Sequence, residues 1–156
     1  MATHRIMVPL DGSALAEMVM PTAIELGTAL QADWILVQVI APDPGAWALV
    51  TESWGPVGPW DPMVPAQDEQ RDGAQTYLNA VRGQMGDRVG HVTVDVRQGP
   101  VLASLLAAVR DHAATLIAMS THGRGGFNRM VMGSVTDMVI RLAPVPVVVV
   151  HPSARR

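Results

Sequence analysis

Apolar residues in this chain come in short runs separated by turn chemistry. The first run, Arg-Ile-Met-Val-Pro-Leu over 5–10, stops at Asp11-Gly12-Ser13, which predicts strand, turn and capped helix. That helix is expected over about 14–26, with Leu15, Val19, Ala23 and Leu26 on one face, a kink at Pro21 and an end at Gly27. Residues 33–41, with Ile35, Leu36, Val37, Val39 and Ile40, predict a strand apolar on both faces, as parallel strands under helices are. A helix follows over 67–85, carrying Ala74, Tyr77, Leu78 and Val81 on one side. Strict alternation over 91–97 predicts a strand with Val92, Val94 and Val96 sharing a face. Pro100 opens a helix to about 112, 115–120 is a fourth strand, a helix covers about 135–143, and 145–150 closes as a fifth strand.

Between the second strand and the next helix, 42–66 breaks the pattern and holds six of the 12 prolines and three of the 4 tryptophans, Trp47, Trp54 and Trp60. A connection this long is either a lid-like functional loop or a mobile connector, and its tryptophans are costly to leave in water. With no internal repeat and no second hydrophobic block, 1–156 reads as one domain carrying a Pro/Trp-rich insert. Five strands alternating with four helical segments predict an α/β fold, an open Rossmann-like parallel sheet with helices on both faces. In such sheets ligands gather beyond the carboxyl ends of strands, where the winding direction reverses. If the first and fourth strands are neighbours, Asp11 and the turn after Ser120 open into one crevice.

Composition narrows the chemistry. Hydrophobic residues are 49% and charged residues 16% of 156 positions, enough apolar surface for a packed core. No apolar run reaches a membrane span, and the opening Met1-Ala2-Thr3-His4-Arg5 is too short and polar for a signal sequence, so a cytoplasmic protein with no membrane partner is expected. The absence of cysteine excludes disulfides, thiolate metal sites and cysteine nucleophiles. All 11 basic residues are arginine, which excludes Schiff-base chemistry and the P-loop lysine. A net charge of −3 gives no reason to expect nucleic acid as a partner.

The richest stretch is Ser120-Thr121-His122-Gly123-Arg124-Gly125-Gly126-Phe127, with Gly133-Ser134 at the start of the last helix. Glycines let backbone N–H groups approach an anion, a helix N-terminus adds unpaired N–H groups, and the Ser134 hydroxyl can donate to a phosphate. Ser134 can equally cap the helix, with Asp137 three residues on. Asn128 stands where the dinucleotide-binding pattern requires its third glycine. Arg124 can clamp a terminal phosphate or be solvated, and His122 is read as a backbone-bonding residue of the loop. Asp11 can accept from a hydroxyl pair, or close an Asx turn over Gly12-Ser13. No metal-ligand spacing appears among the histidines.

Gly123, nine intervening residues, then Gly133-Ser134 resembles the later part of the Gly-x2-Gly-x9-Gly-Ser/Thr motif of the universal stress protein family. Val8-Pro9-Leu10-Asp11-Gly12-Ser13 and Pro144-Val145-Pro146-Val147-Val148-Val149 resemble that family's first and last strands, and Ser120 falls where the motif's first glycine belongs. The resemblance implies strand order 3-2-1-4-5, a homodimer through the 145–150 strand, and membership of the branch that binds ATP or another adenine nucleotide, with magnesium as its companion ion. It further implies that Asp11, with Pro9 and Ser13, meets the ribose or adenine side. Val39 and Ile40 line the adenine pocket, where the Val39 backbone reads the base edge, and Gly123, Arg124, Gly133, Ser134 and Val135 meet the phosphates. The expected role is a nucleotide-dependent sensor or accessory protein in stress response. The rivals are a slow ATPase or phosphoryl-transfer enzyme and a nucleotide-free dimeric interaction module. The unpaired valines of 145–150 favour dimer formation without the resemblance, because an apolar edge strand invites a second chain.

Overall fold

The computed structural model describes residues 4–41, 67–87, 89–121 and 133–151. The expected insert at 42–66 and the glycine-rich stretch from His122 to Met132 lie outside the described residues. The elements run β1 (Arg5–Pro9), α1 (Ala14–Glu17), α2 (Met20–Ala29), β2 (Asp33–Ile40), α3 (Gln67–Gln84), β3 (Val92–Gln98), α4 (Val101–Asp111), β4 (Leu116–Ser120), α5 (Ser134–Leu142) and β5 (Val147–Val150). The sheet is parallel throughout, in the order β3-β2-β1-β4-β5. No described helix is long and apolar enough to cross a membrane.

Two cores sandwich the sheet, and strand alternation decides which residue joins which. Ile6, Val8, Trp34, Leu36 and Ala118 point to the side covered by α1, α2 and α3, where Val19, Ala23, Leu78 and Val81 meet them. Met7, Ile35, Val37, Ile117 and Met119 point to the other side, against Leu105, Ala108 and Val109 of α4 and Val139 of α5. Covered on both faces, β1 and β2 are continuous hydrophobic runs, as their sequences require. Val92, Val94 and Val96 share one face, packed on the first core.

Three local expectations are corrected. The first helix is two pieces: α1 ends at Glu17, and α2 starts at Met20 with Pro21 in its first turn. A proline there lacks only an N–H that the helix start leaves unpaired, so it begins a helix instead of bending one. Gly27 does not end α2, which runs on to Ala29; it is buried under the indole of Trp34, which a Cβ would strike. Its glycine identity comes from a close approach between helix and strand. Pro100 is the residue before α4, in extended conformation (φ −58°, ψ 125°), and not its first turn.

The two sheet edges differ in chemistry. On β3, Asp95 and Arg97 turn toward α4: Arg97 Nε donates to Asp95 Oδ2 at 2.7 Å, and Arg97 reaches Asp111 at 2.8 Å. His112 Nε2 lies 2.7 Å from the same Asp95 oxygen. Inward-pointing charges of this kind discourage a further strand. The other edge, β5, is four valines.

Two predictions follow from this packing. Gly27→Ala should cost about 1–3 kcal/mol through overpacking against Trp34. Gly73→Ala and Gly83→Ala in α3, where a Cβ meets nothing within 4 Å, should instead gain about 0.4–1 kcal/mol. Urea midpoints measure both, and a neutral Gly27→Ala would contradict the helix–strand contact. Burial raises the Asp95 carboxyl pKa, but hydrogen bonds and charge from Arg97 and His112 outweigh it and hold the group below the usual carboxylate range. A depressed carboxylate stabilises the fold above its unfolded pKa, and that contribution is lost as pH falls through the folded value. Asp95→Asn should therefore cost about 1–2 kcal/mol at neutral pH. Its deficit against the wild type should close as pH drops below about 4, read from denaturation at a series of pH values.

Candidate functional site

At the carboxyl end of β1 the chain turns sharply. Leu10 donates its N–H to the Val37 carbonyl at 2.8 Å, the last β1–β2 backbone bond. Asp11 Oδ1 then accepts from the Ser13 N–H at 2.9 Å, across Gly12 at φ +81°. This is the Asx turn that the sequence allowed, and glycine supplies the positive φ. Ser13 caps α1, its Oγ accepting from the Ala16 N–H at 3.1 Å. Asp11 is half-buried. Tyr77 of α3 reaches the same turn: its hydroxyl donates to Glu17 Oε1 at 2.9 Å and faces the Gly12 backbone. Burial, the Glu17 bond and the nearby carboxylates of Glu17 and Asp11 push the phenol well above its ordinary value.

Val39 and Ile40 end β2. Backbone groups in a parallel strand alternate sides: Asp33 and Val37 bond toward β1, whereas Trp34 and Ile40 bond toward β3 and the turn after it. Val39 is therefore in the set that points toward β1, two residues past the final bond to Leu10. Its N–H and C=O face the space beyond the end of β1, and its side chain packs on the second core. Ile40 accepts from the Gly99 N–H at 3.1 Å.

The β1–β4 register is Ile6↔Leu116 and Met7↔Ile117. β1 continues to Pro9, whose nitrogen faces β4 but has no N–H to carry the ladder on, and β4 continues to Ser120. Past β4, the Thr121 carbonyl accepts from the Gly133 N–H at 2.8 Å, and the Ser120 carbonyl accepts from Thr136 Oγ1 at 3.1 Å. These two bonds fix the start of α5 to the end of β4. Thr121 N–H bonds the Val150 carbonyl, and its hydroxyl lies 3.4 Å from His151 Nδ1.

Gly133, not Ser134, is the N-cap of α5, and no side chain bonds the cap. Ser134 is the first helical residue and is exposed, so its capping alternative does not occur; Asp137 pairs with Arg141 at 2.9 Å instead. The first intrahelical backbone bond is Asp137 N–H to Gly133 C=O. The N–H groups of Ser134, Val135 and Thr136 precede it and are the donors a helix start leaves over. A Cβ on Gly133 would sit 3.1 Å from the Thr121 carbonyl, a second reason for glycine besides access to an anion.

Pro9, Asp11, Ser13, Val39, Ile40, Gly133, Ser134 and Val135 thus all lie at strand carboxyl ends or at the helix start tied to one of them. Gly123, Arg124 and His122 lie outside the described residues. Sequence reading gave no site role to Tyr77, Glu17, Thr121, Thr136 or His151. The signals on offer were the single tyrosine on an otherwise apolar helix face and the place of Thr121 in the Ser120–Phe127 stretch. Among the described residues no group of three His, Asp or Glu side chains is arranged to hold a metal.

A model of the universal stress protein family matches residues 2–151. A universal stress protein of Mycolicibacterium smegmatis is 26% identical over 147 residues, covering 94% of this chain and 45% of that protein. The chain therefore spans less than half of that relative's length. Among solved structures, the universal stress protein UspA from Lactobacillus plantarum aligns with a TM-score of 0.73 at 18% identity, over 96% of this chain and 99% of that one. A universal stress protein solved in complex with cAMP aligns with a TM-score of 0.64 at 18% identity, over 98% and 100%. The sheet has the order 3-2-1-4-5 and the family model runs nearly end to end: the chain belongs to the universal stress protein family.

Proposed function

We propose that this chain binds ATP or another adenine nucleotide in the crevice between β1 and β4 and acts as a nucleotide-dependent sensor or accessory protein in stress response. The observation that carries this reading is that β1 and β4 are neighbours where the winding direction reverses, beside a helix start whose cap is a glycine. Backbone donors gathered at such a start suit phosphate. The likeness to a family member solved with cAMP supports an adenine nucleotide as the class. In this reading the Asp11 carboxylate serves both the Asx turn and a ribose hydroxyl, since one carboxylate offers about four acceptor directions. Pro9 and Ser13 flank it, the Val39 backbone meets the base edge, and Ile40 lines the adenine pocket. Gly123, Arg124, Gly133, Ser134 and Val135 take the phosphates, with magnesium as companion ion.

The chain works as a binding protein and not as an enzyme. Phosphoryl transfer needs groups that bind the transition state more tightly than the ground state, and the chain has no lysine to offer. It forms one domain over 1–156 with 42–66 as an insert, works in the cytoplasm, and pairs with a second copy. The pairing edge is β5, the edge without charges; the helix leading into it leaves Met138, Ile140 and Leu142 exposed. Two β5 strands meeting antiparallel satisfy each other's backbone groups and use one patch twice. Pro146 precedes the strand, where its missing N–H costs nothing, and its carbonyl accepts from Ile117 at 3.0 Å.

Titration calorimetry with ATP and magnesium tests the crevice. Ser134→Ala should weaken binding about five- to tenfold, the worth of one hydrogen bond. Gly133→Val, whose side chain meets the Thr121 carbonyl and so shifts the helix start, should weaken it at least about tenfold, with circular dichroism confirming that both variants fold. Phosphate release in the same samples should stay at the buffer level. Folded variants with unchanged affinity would sink the cradle. Light scattering tests the edge: the wild type should be a dimer at micromolar concentration, and Val148→Lys should yield monomers. A folded Val148→Lys protein that stays dimeric would move the interface elsewhere.

A further inference from the structure

Tyr77 is the one tyrosine of the chain, and it stands on α3 while both of its polar partners belong to the segment after β1. Its hydroxyl donates to Glu17 Oε1 at 2.9 Å and faces the backbone of Gly12. Tyr77 thus meets both ends of α1, bonded at Glu17, its last residue, and beside Gly12, which precedes its Ser13 cap. A helix of four residues cannot hold itself together, because nucleation fixes several dihedrals for each bond gained. Ala16 and Val19 anchor one side of this segment in the core, and Tyr77 supplies the polar anchor. Asp11, immediately before Gly12, accepts from the Ser13 N–H, so its carboxylate is tied to the segment that Tyr77 anchors.

We propose that Tyr77 is a positioning residue of the β1–β4 crevice: its hydroxyl fixes the Asp11-Gly12-Ser13 turn and so couples α3 to whatever occupies the crevice. The nucleotide part of this inference rests on the function proposed above. Only the neutral phenol can donate to Glu17. The facing groups, Glu17 and Asp11, are both acidic and keep it neutral. The coupling works in both directions, because a ligand held by Asp11 tightens the same turn that Tyr77 grips.

The test compares ATP affinity in the wild type, Tyr77→Phe, Asp11→Asn and the double variant. Tyr77→Phe keeps the ring in the core and removes only the hydroxyl. It should weaken binding about five- to tenfold, yet have no further effect once Asp11 is asparagine. Glu17→Gln keeps an acceptor and should retain wild-type affinity. Wild-type affinity in Tyr77→Phe, or an equal loss with and without Asp11, overturns the role. Should the wild type bind no nucleotide, the crevice reading fails by itself, and the positioning role is judged from amide exchange and carboxyl titration by NMR. Tyr77→Phe should then speed exchange of the Gly12 amide and shift the Asp11 titration. If neither moves, Tyr77 is packing only.

Discussion

Right-handed crossovers govern this molecule. Going from β1 out to β2 and β3, every connection lies on one face, which puts α1, α2 and α3 there; returning to β4 and β5 puts α4 and α5 on the other. β1 is the strand at which the direction reverses, so it is covered from both sides, and Ile6, Met7 and Val8 are fully buried. The same reversal puts the helices that follow β1 and β4 on opposite faces of the sheet, with the gap between the two carboxyl ends between them. Core and crevice are two results of one handedness rule.

Around that gap, polar groups carry more than one duty. Asp11 closes a turn while sitting half-buried at the mouth, and the Thr121 carbonyl ties α5 to the sheet through Gly133. Gly133 is confined by the carbonyl it bonds, so a change there alters sheet-to-helix docking as well as access for an anion. Separating binding from folding at this edge takes Ser134, which is exposed and outside the cap.

Much of this was legible in the sequence, because it depended on local periodicity. Alternating valines marked β3, apolar runs marked β1, β2 and β5, and Asp11-Gly12-Ser13 announced its own turn. The errors came where a distant residue decided. Gly27 looks like a helix end until Trp34, seven positions later, folds back over it. Pro21 looks like a kink because nothing in the chain before it shows that α1 stops at Glu17. Ser134 reads as a cap, but docking to Thr121 moves the cap to Gly133. Tyr77 looked like core alone, since its partners at Gly12 and Glu17 are far away in sequence.

The contact between β1 and β4 also has a kinetic side. Arg5 and Thr115, which bond each other at its edge, are 110 residues apart. Closing a loop of that length costs about 4 kcal/mol of chain entropy before any pairing returns it. Pairings between strands near in sequence close sooner, so β1 waits beside β2 with one side open until β4 arrives. The crevice is then among the last features the folding chain completes. Anything that binds there selects only fully folded molecules and stabilises the whole domain by mass action. Slowed amide exchange throughout β1 and β4, and not only at the crevice, is how that selection shows itself.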